Sequence, residues 1–438
     1  MENKIYPRLL TISVNAWSDK NSTGNTFSNF FGNWDKNKLA NLYLRDEEID
    51  NKCCSKYFRI TEKDIFKSLI YGIELGSEVT YETNSKHTNS KCNNIKKNSK
   101  FVEYVKRMRP HIILLLRELF WSIGFQKKNK LNSFLKEFDP EIIYMHCHSL
   151  FYAHKILNYC HNYTKAKVVV FFGDEVYSYK SVLPINRIYH FILRHLIRKT
   201  LTISEIQYGG SAKLCDYYSN LFGKEFKLLI KGTQPIKIKP KPHNLPLRIV
   251  YAGNLLYGRW LTLSLLAKAI EEVSINKNLY SLEIYSNTPL SKKMELGLNT
   301  NYSSYMGPAS YSDIVKHLND ADIVLHVESF RKKDISLTKY SFSTKIIDCI
   351  QSGSCIIAIG PPELASIDFL KKSGAALTLH TYNEICIKLN SIVTDIEILD
   401  DCASRMQNYT KNNFELDSVR TNIFNDIVKM LVIKTRLK

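Results

Sequence analysis

The feature that most constrains this chain is a series of short, almost unbroken apolar and β-branched runs. They are "RLLTISV" (8–14), "EIIYMHC" (141–147), "KVVVFFG" (167–173), "LTISE" (201–205), "KLLIKG" (227–232), "LRIVYAG" (247–253), "YSLEIYS" (280–286), "ADIVLHV" (321–327) and "CIIAIG" (355–360). A strand with one wet face alternates apolar and polar residues, whereas a strand covered on both faces is apolar at nearly every position. Helix-like segments separate the runs, so the predicted class is α/β with parallel, doubly wound sheets. A chain of 438 residues is too long for one core. The segment "PIKIKPKPHNLP" (235–246) has four prolines in twelve residues and cannot form regular structure. After it the strand–helix rhythm restarts. Two Rossmann-like domains joined by this linker are expected, facing a central cleft where the carboxyl ends of their strands meet.

Charge narrows the partners. The net charge of +19 is uneven: residues 1–235 carry 36 Lys and Arg against 22 Asp and Glu, the remainder 25 against 20. A basic first half suits an anionic partner such as a lipid surface or a phosphorylated substrate. Nucleic acid is the less favoured reading, because no zinc-finger spacing or RNA-recognition aromatic signature accompanies the charge. The ten cysteines form no CxxC pair, as suits reduced thiols in the cytoplasm. The N-terminus does not read as a signal peptide, and the longest apolar run, "HIILLLRELFWSIGF", is interrupted by Arg117 and Glu118, so no membrane span is expected.

Two segments break the rhythm. Residues 84–100 hold five lysines and no acid, which predicts a surface loop. The following stretch repeats apolar residues at helical spacing among Lys106, Arg107, Arg109 and Arg117, with Pro110 marking a kink or a restart. A basic amphipathic helix carrying Phe120, Trp121 and Phe125 has the composition for a lipid interface, or for packing on its own domain.

Two stretches carry chemistry. In "YAGNLLYGR" (251–259), Gly253 and Gly258 let backbone approach a ligand, Asn254 adds a polar group, and Arg259 has a fork suited to phosphate. It is not a phosphate-binding Walker loop, because the Lys-Ser/Thr pair is missing. In "YSFSTKIIDCIQSGSCIIAIGP" (340–361), a helix over 343–350 would bury Ile346, Ile347 and Ile350. Ser343, Thr344 and Lys345 would then stand in its first turn, with Asp348 one turn on, able to accept the hydroxyls of a ribose. In the first half, His146 and His148 end one strand and Asp174 ends the next. His148 and Asp174 are candidates for orienting an acceptor hydroxyl. The two histidines have metal-like spacing but no evident third ligand, so no metal is expected.

These residues resemble a known family. "YAGN…GR", "ADIVLHVE", "STKIIDCIQSGSCIIAIGP" and the N-terminal "NSTGNT" look like glycosyltransferase family 4, of GT-B fold, and most like bacterial members that build surface polysaccharides. The resemblance implies an acceptor-binding domain over 1–234, a linker over 235–246 and a nucleotide-sugar domain over 247–420. It also implies a C-terminal helix over 421–438 that crosses back to the first domain. Gly253, Asn254, Arg259 and Lys345 would face the donor diphosphate. Asp348 matches the second glutamate of the family's E-x7-E motif, while Tyr340 stands where the first should be and Glu328 lies farther upstream. Gly24 and Asn25 match the loop after the first strand, which approaches donor and acceptor.

The implied activity is retaining transfer of a sugar from a nucleotide diphosphate to a glycan or polyprenyl-linked acceptor, without a cofactor or metal. The implied setting is cytoplasmic, peripheral to an anionic membrane face. A nucleotide-sugar epimerase of the same fold is the alternative.

Overall fold

In a computed structural model, the described residues are 5–19, 21–47, 49–50, 53–80, 111–178, 184–235, 242–275 and 277–435. The lysine-rich stretch 84–100, the first part of the basic helix with Pro110, and half of the linker (236–241) lie outside them. The chain divides into two compact units. One comprises residues 1–209, 222–227 and 420–438, and the other residues 210–221 and 228–419.

The first unit is an eight-stranded sheet. Its strands are β1 (Leu9–Ser13), β2 (Leu39–Tyr43), β3 (Lys56–Arg59), β4 (Ser77–Val79), β5 (Ile142–His146), β6 (Lys167–Phe172), β7 (Ser204–Gly209) and β8 (Phe226–Leu228). They lie in the order β4-β3-β2-β1-β5-β6-β7-β8, and β4 runs antiparallel to β3. The helices are α1 (Ser22–Phe31), α2 (Glu62–Tyr71), α3 (His111–Gly124), α4 (Asn129–Phe138), α5 (Phe151–Thr164) and α6 (Pro184–Ile203). β1 pairs with both β2 and β5, so the strand order reverses between β1 and β5.

The second unit is a six-stranded sheet, parallel throughout. Its strands are β9 (Leu247–Ala252), β10 (Tyr280–Tyr285), β11 (Ser303–Gly307), β12 (Ile323–Val327), β13 (Cys355–Ile359) and β14 (Leu377–Leu379). Their order is β11-β10-β9-β12-β13-β14, so the reversal falls between β9 and β12. The residues that put this unit together follow the two-residue strand period. Ile249, Leu325 and Ile357 face one helical layer with Leu263, Leu266 and Ile270. Val250, Val324 and Ile356 face the other, with Ile346, Ile347, Ile350 and Ile367. Each fully buried aliphatic side chain contributes about 1.5–3 kcal/mol, which explains why every residue of β12 and β13 is buried.

Several expectations are corrected. Residues 201–203 of "LTISE" close helix α6, whose inner face repeats Leu193, Ile197 and Leu201, and the strand starts at Ser204. Of "KLLIKG", only Lys227 and Leu228 are strand. Of the two readings of the basic helix, Trp121 follows packing on its own domain: it is buried and stacks on Tyr152 with centroids 4.1 Å apart, while Phe125 meets Tyr159 edge-on. Gly24 and Asn25 lie not in a loop but in the first turn of α1, capped by Asn21, whose side chain accepts from the Gly24 N–H at 2.8 Å.

Two segments sit away from their sequence neighbours. Helix α7 (Ala212–Phe222) contributes residues 212–221 to the second unit, where Ser211 donates to the Tyr340 carbonyl at 2.7 Å. Tyr217 stacks on Tyr340 at 4.5 Å. The last helix, Leu416–Thr435, joins the first unit from Arg420 onward. There Arg420 donates to the carbonyls of Ser28 and Asn29, and Tyr208 donates to Asp426 at 2.8 Å.

Candidate active site

In doubly wound sheets, ligands sit at the carboxyl ends of the strands where the strand order reverses. In the second unit that point is the end of β9 beside the end of β12, and it holds Gly253, Asn254 and Glu328. Gly253 has to be glycine. A Cβ there would stand 2.6 Å from the Tyr251 hydroxyl and 3.1 Å from Lys345 Nζ. Gly258 caps α8 (Arg259–Val273) in the left-handed region at φ 70°, and a Cβ on it would meet Asp334 Oδ2 and Ser329 Oγ at 2.4 Å.

Arg259 opens α8 and does not present a free fork. Its Nη1 donates to Asn254 Oδ1 at 2.8 Å, and its Nη2 donates to Glu328 Oε1 at 3.0 Å. Glu328 is buried, and its Oε2 has no hydrogen-bond partner among the described residues. Burial pushes the Glu328 carboxyl above its usual range, and Arg259 pulls against that.

Lys345 approaches from the other layer. The helix that carries it, Lys345–Gln351, starts two residues later than expected, which leaves Ser343 and Thr344 ahead of it. The Ser343 N–H donates to Ser366 Oγ at 3.2 Å, and Thr344 is exposed. Lys345 is half-buried and makes no hydrogen bond or ion pair among the described residues. Burial, and after it repulsion from Arg259, hold its ammonium below the ordinary lysine range. One turn on, Asp348 Oδ1 accepts from the Tyr311 hydroxyl at 3.2 Å. Burial raises the Asp348 carboxyl, and the Tyr311 phenol is pushed up to about 12 by burial and then by Asp348.

Gly253, Asn254, Arg259, Glu328 and Lys345 therefore form one cluster, with Asp348 and Tyr311 a turn away. His326 and Tyr311 were missed in the sequence. His326 Nε2 lies 3.5 Å from Glu328 Oε1, and its imidazole is pulled down to about 3 by burial and then by Arg259 and Lys345. The two-residue spacing in "HVE" put His326 and Glu328 on one side of the strand, which was the available signal. Nothing local linked Tyr311 to Asp348, 37 residues on.

The first unit's reversal point carries the other candidates. His146 and His148 stack with ring centroids 4.8 Å apart. Burial holds His146 down at about 4. Burial and then the neighbouring His146 hold His148 at about 3, with a small opposing effect from Asp174. Both are therefore neutral near pH 7. His154 fixes the backbone beneath them. Its Nε2 lies 2.9 Å from the His148 carbonyl, which can only accept, so Nδ1 accepts from the Thr200 hydroxyl at 2.9 Å. Asp174 is exposed on the turn after β6. Among the described residues, no group of three or more His, Cys, Asp or Glu is arranged to hold a metal ion.

Two doubly wound units of this strand order define the GT-B fold. Among solved structures, the chain is similar to Anabaena HepE in complex with UDP, at TM-score 0.65 and 9% identity over 96% of this chain and all of that one. HepE in complex with UDP-glucose matches at TM-score 0.59 and 10% identity, over 97% of this chain and all of that one. Sucrose-phosphate synthase from Thermosynechococcus elongatus matches at TM-score 0.60 and 9% identity, over 97% of this chain and 99% of that one. No protein-family profile and no curated protein matches the chain.

Proposed function

We propose that this chain is a glycosyltransferase that moves a sugar from a nucleoside-diphosphate donor to a glycan or lipid-linked acceptor. We further propose that it retains the anomeric configuration and serves bacterial surface-polysaccharide synthesis at the cytoplasmic face of the membrane. The observation that carries the reading is Lys345. A half-buried ammonium with no direct hydrogen bond or ion pair among the described residues lies against a glycine that admits no side chain, at the strand-order reversal of the second unit. An arriving diphosphate would give it a direct ionic partner. The GT-B fold and neighbours crystallised with UDP and UDP-glucose support the same ligand class.

In this reading, negative charge builds on the leaving diphosphate as the bond to the sugar breaks. Lys345 and Arg259 stabilise it from fixed positions. Glu328 and Asn254 hold Arg259 in place, so little reorganisation is needed at that moment. Asp348 accepts from ribose hydroxyls. The two cations supply this charge stabilisation without a divalent ion. In the first unit, neutral His148 and Asp174 orient the acceptor hydroxyl. Attack on the same face is assisted by the leaving phosphate, and no protein nucleophile is assigned.

The test is release of nucleoside diphosphate from a panel of nucleotide sugars, with and without lipid-linked acceptors and with a chelator present. Acceptor-dependent release, unchanged by the chelator and lost in Lys345→Ala, supports the reading. Interconversion of donor sugars with no acceptor points to an epimerase instead.

A further inference from the structure

A cavity of about 570 Å³ opens in the first unit, at the opposite end of the sheet from His148 and Asp174. Its walls come from the amino-terminal parts of β6, β7 and β8 and from the last helix, which supplies Asp426, Lys429 and Met430. Lys167 opens β6 and Asp174 follows its end, so at ~3.3 Å per residue the two stand roughly 20 Å apart along the strand. A molecule positioned at His148 does not reach this end, so an occupant of the cavity is a separate ligand. The volume lies within the ~300–1,000 Å³ of small-molecule sites.

The wall is rich in hydrogen-bond donors. Lys167, Lys224, Lys227 and Lys429 line it, and an ammonium carries three donors and no acceptor. Lys167 donates to Glu205 Oε1 at 2.5 Å, and Lys227 to Asp426 Oδ1 at 2.6 Å. Lys224 donates to the Leu201 carbonyl in the last turn of α6, and exposed Lys429 makes no hydrogen bond or ion pair among the described residues. Lys224, Lys227 and Lys429 therefore keep donors in reserve. The acceptors are mostly engaged. Glu205 Oε2 takes the Val168 N–H at 2.9 Å, and Asp426 Oδ2 takes the Tyr208 hydroxyl at 2.8 Å. What remains is the exposed Glu225 carboxylate and the side-chain carbonyl of buried Gln207, whose amide nitrogen donates to the Ser204 carbonyl and hydroxyl at 2.8 Å. Ile206 and Met430 give the wall an apolar side. A wall with this excess of cationic donors is complementary to a compact oxyanion, and its two remaining acceptors suit hydroxyl groups.

We propose that this cavity is a second ligand site, which binds a small phosphate monoester with a hydroxylated body. Lys224, Lys227 and Lys429 take the phosphoryl oxygens, and the Gln207 carbonyl and Glu225 accept from the hydroxyls. This rests on the chemistry of the cavity wall, not on the sugar-transfer reading, so either can fail without the other. The test is calorimetric titration of glucose 6-phosphate and of inorganic phosphate into the full chain at matched ionic strength. Wild type should bind glucose 6-phosphate saturably with a Kd at or below ~1 mM, and inorganic phosphate several-fold more weakly. Lys429→Glu should weaken the ester at least ~10-fold at an unchanged Tm, because its position is exposed and unpaired among the described residues. Should that variant lose its fold, Lys224→Gln, which keeps a donor for the Leu201 carbonyl, reads the same cavity and should weaken binding several-fold. Lys345→Met should leave the affinity unaltered, which separates this cavity from the diphosphate seat in the second unit. The proposal is overturned if wild type binds neither probe, if a folded Lys429 or Lys224 variant binds as wild type does, or if Lys345→Met loses the ester. Glucose 6-phosphate binding no more tightly than inorganic phosphate equally overturns the monoester assignment.

Discussion

Removing the Arg259 guanidinium while leaving Glu328 in place should be among the most damaging single changes in the second unit. The pair is 3.0 Å apart, with side chains only 13% and 3% exposed, and Glu328 Oε2 has no hydrogen-bond partner among the described residues to fall back on. Breaking a buried pair from one side costs about 3–5 kcal/mol, because the remaining charge is stranded, whereas replacing both partners with apolar groups is close to neutral. Arg259→Ala should therefore lower the Tm of this unit by roughly 6–20 °C, at about 2–4 °C per kcal/mol for a unit of this size. Arg259→Met with Glu328→Leu should recover most of that loss.

The penalty should also depend on pH. Burial already raises the Glu328 carboxyl and Arg259 opposes it, so losing Arg259 raises it further. A carboxyl raised above its unfolded value destabilises most at high pH, and the penalty fades as pH falls through the folded value. Urea denaturation at pH 7 and pH 5 reads both effects. A cost below about 1 kcal/mol, or an equal cost at both pH values, would refute the stranded-charge reasoning.

Other outcomes follow from the same geometry. His146, His148, His154 and His326 are held down at about 4, 3, 4 and 3, so none should titrate between pH 8 and 5 in histidine NMR spectra. Because the unfolded chain takes up these protons first, stability should fall as pH drops below about 6.5, by up to ~1.4 kcal/mol per pH unit per histidine. Gly24→Ala would bring a Cβ to 2.2 Å from the Ser18 backbone N and O, so it should destabilise the first unit by about 2 kcal/mol or more in denaturant titrations. Thr61→Ala removes the capping box of α2 and should cost about 1 kcal/mol by the same measurement.

The fold was legible where apolar and β-branched residues ran almost without a break. "LRIVYAG", "ADIVLHV" and "CIIAIG" announced β9, β12 and β13, because strands covered on both faces leave no polar position to blur the signal. β2, β3, β4, β11 and β14 went unread: the buried "LANLY" of β2 breaks its apolar run with Asn41, while "KYFR" and "SEV" are short and charged, and β11 and β14 are edge strands with polar positions. "LTISE" misled because a β-branched run can close a helix when its i, i+4 face is buried. At the site, glycines and cations were visible as types, but pairing was not. That Arg259 is held by Glu328 depends on two layers meeting over the sheet end, and no local spacing encodes that meeting.

The most direct measurement is titration of nucleoside diphosphates, UDP first, into wild type and Lys345→Met, with apo Tm recorded for both. Saturable binding by wild type, at least ~10-fold weaker in Lys345→Met while its apo Tm stays level or rises through relief of a half-buried charge, is the expected result. Absence of binding of any nucleoside diphosphate to wild type, or equal binding by Lys345→Met, would contradict a diphosphate seat at the end of β9.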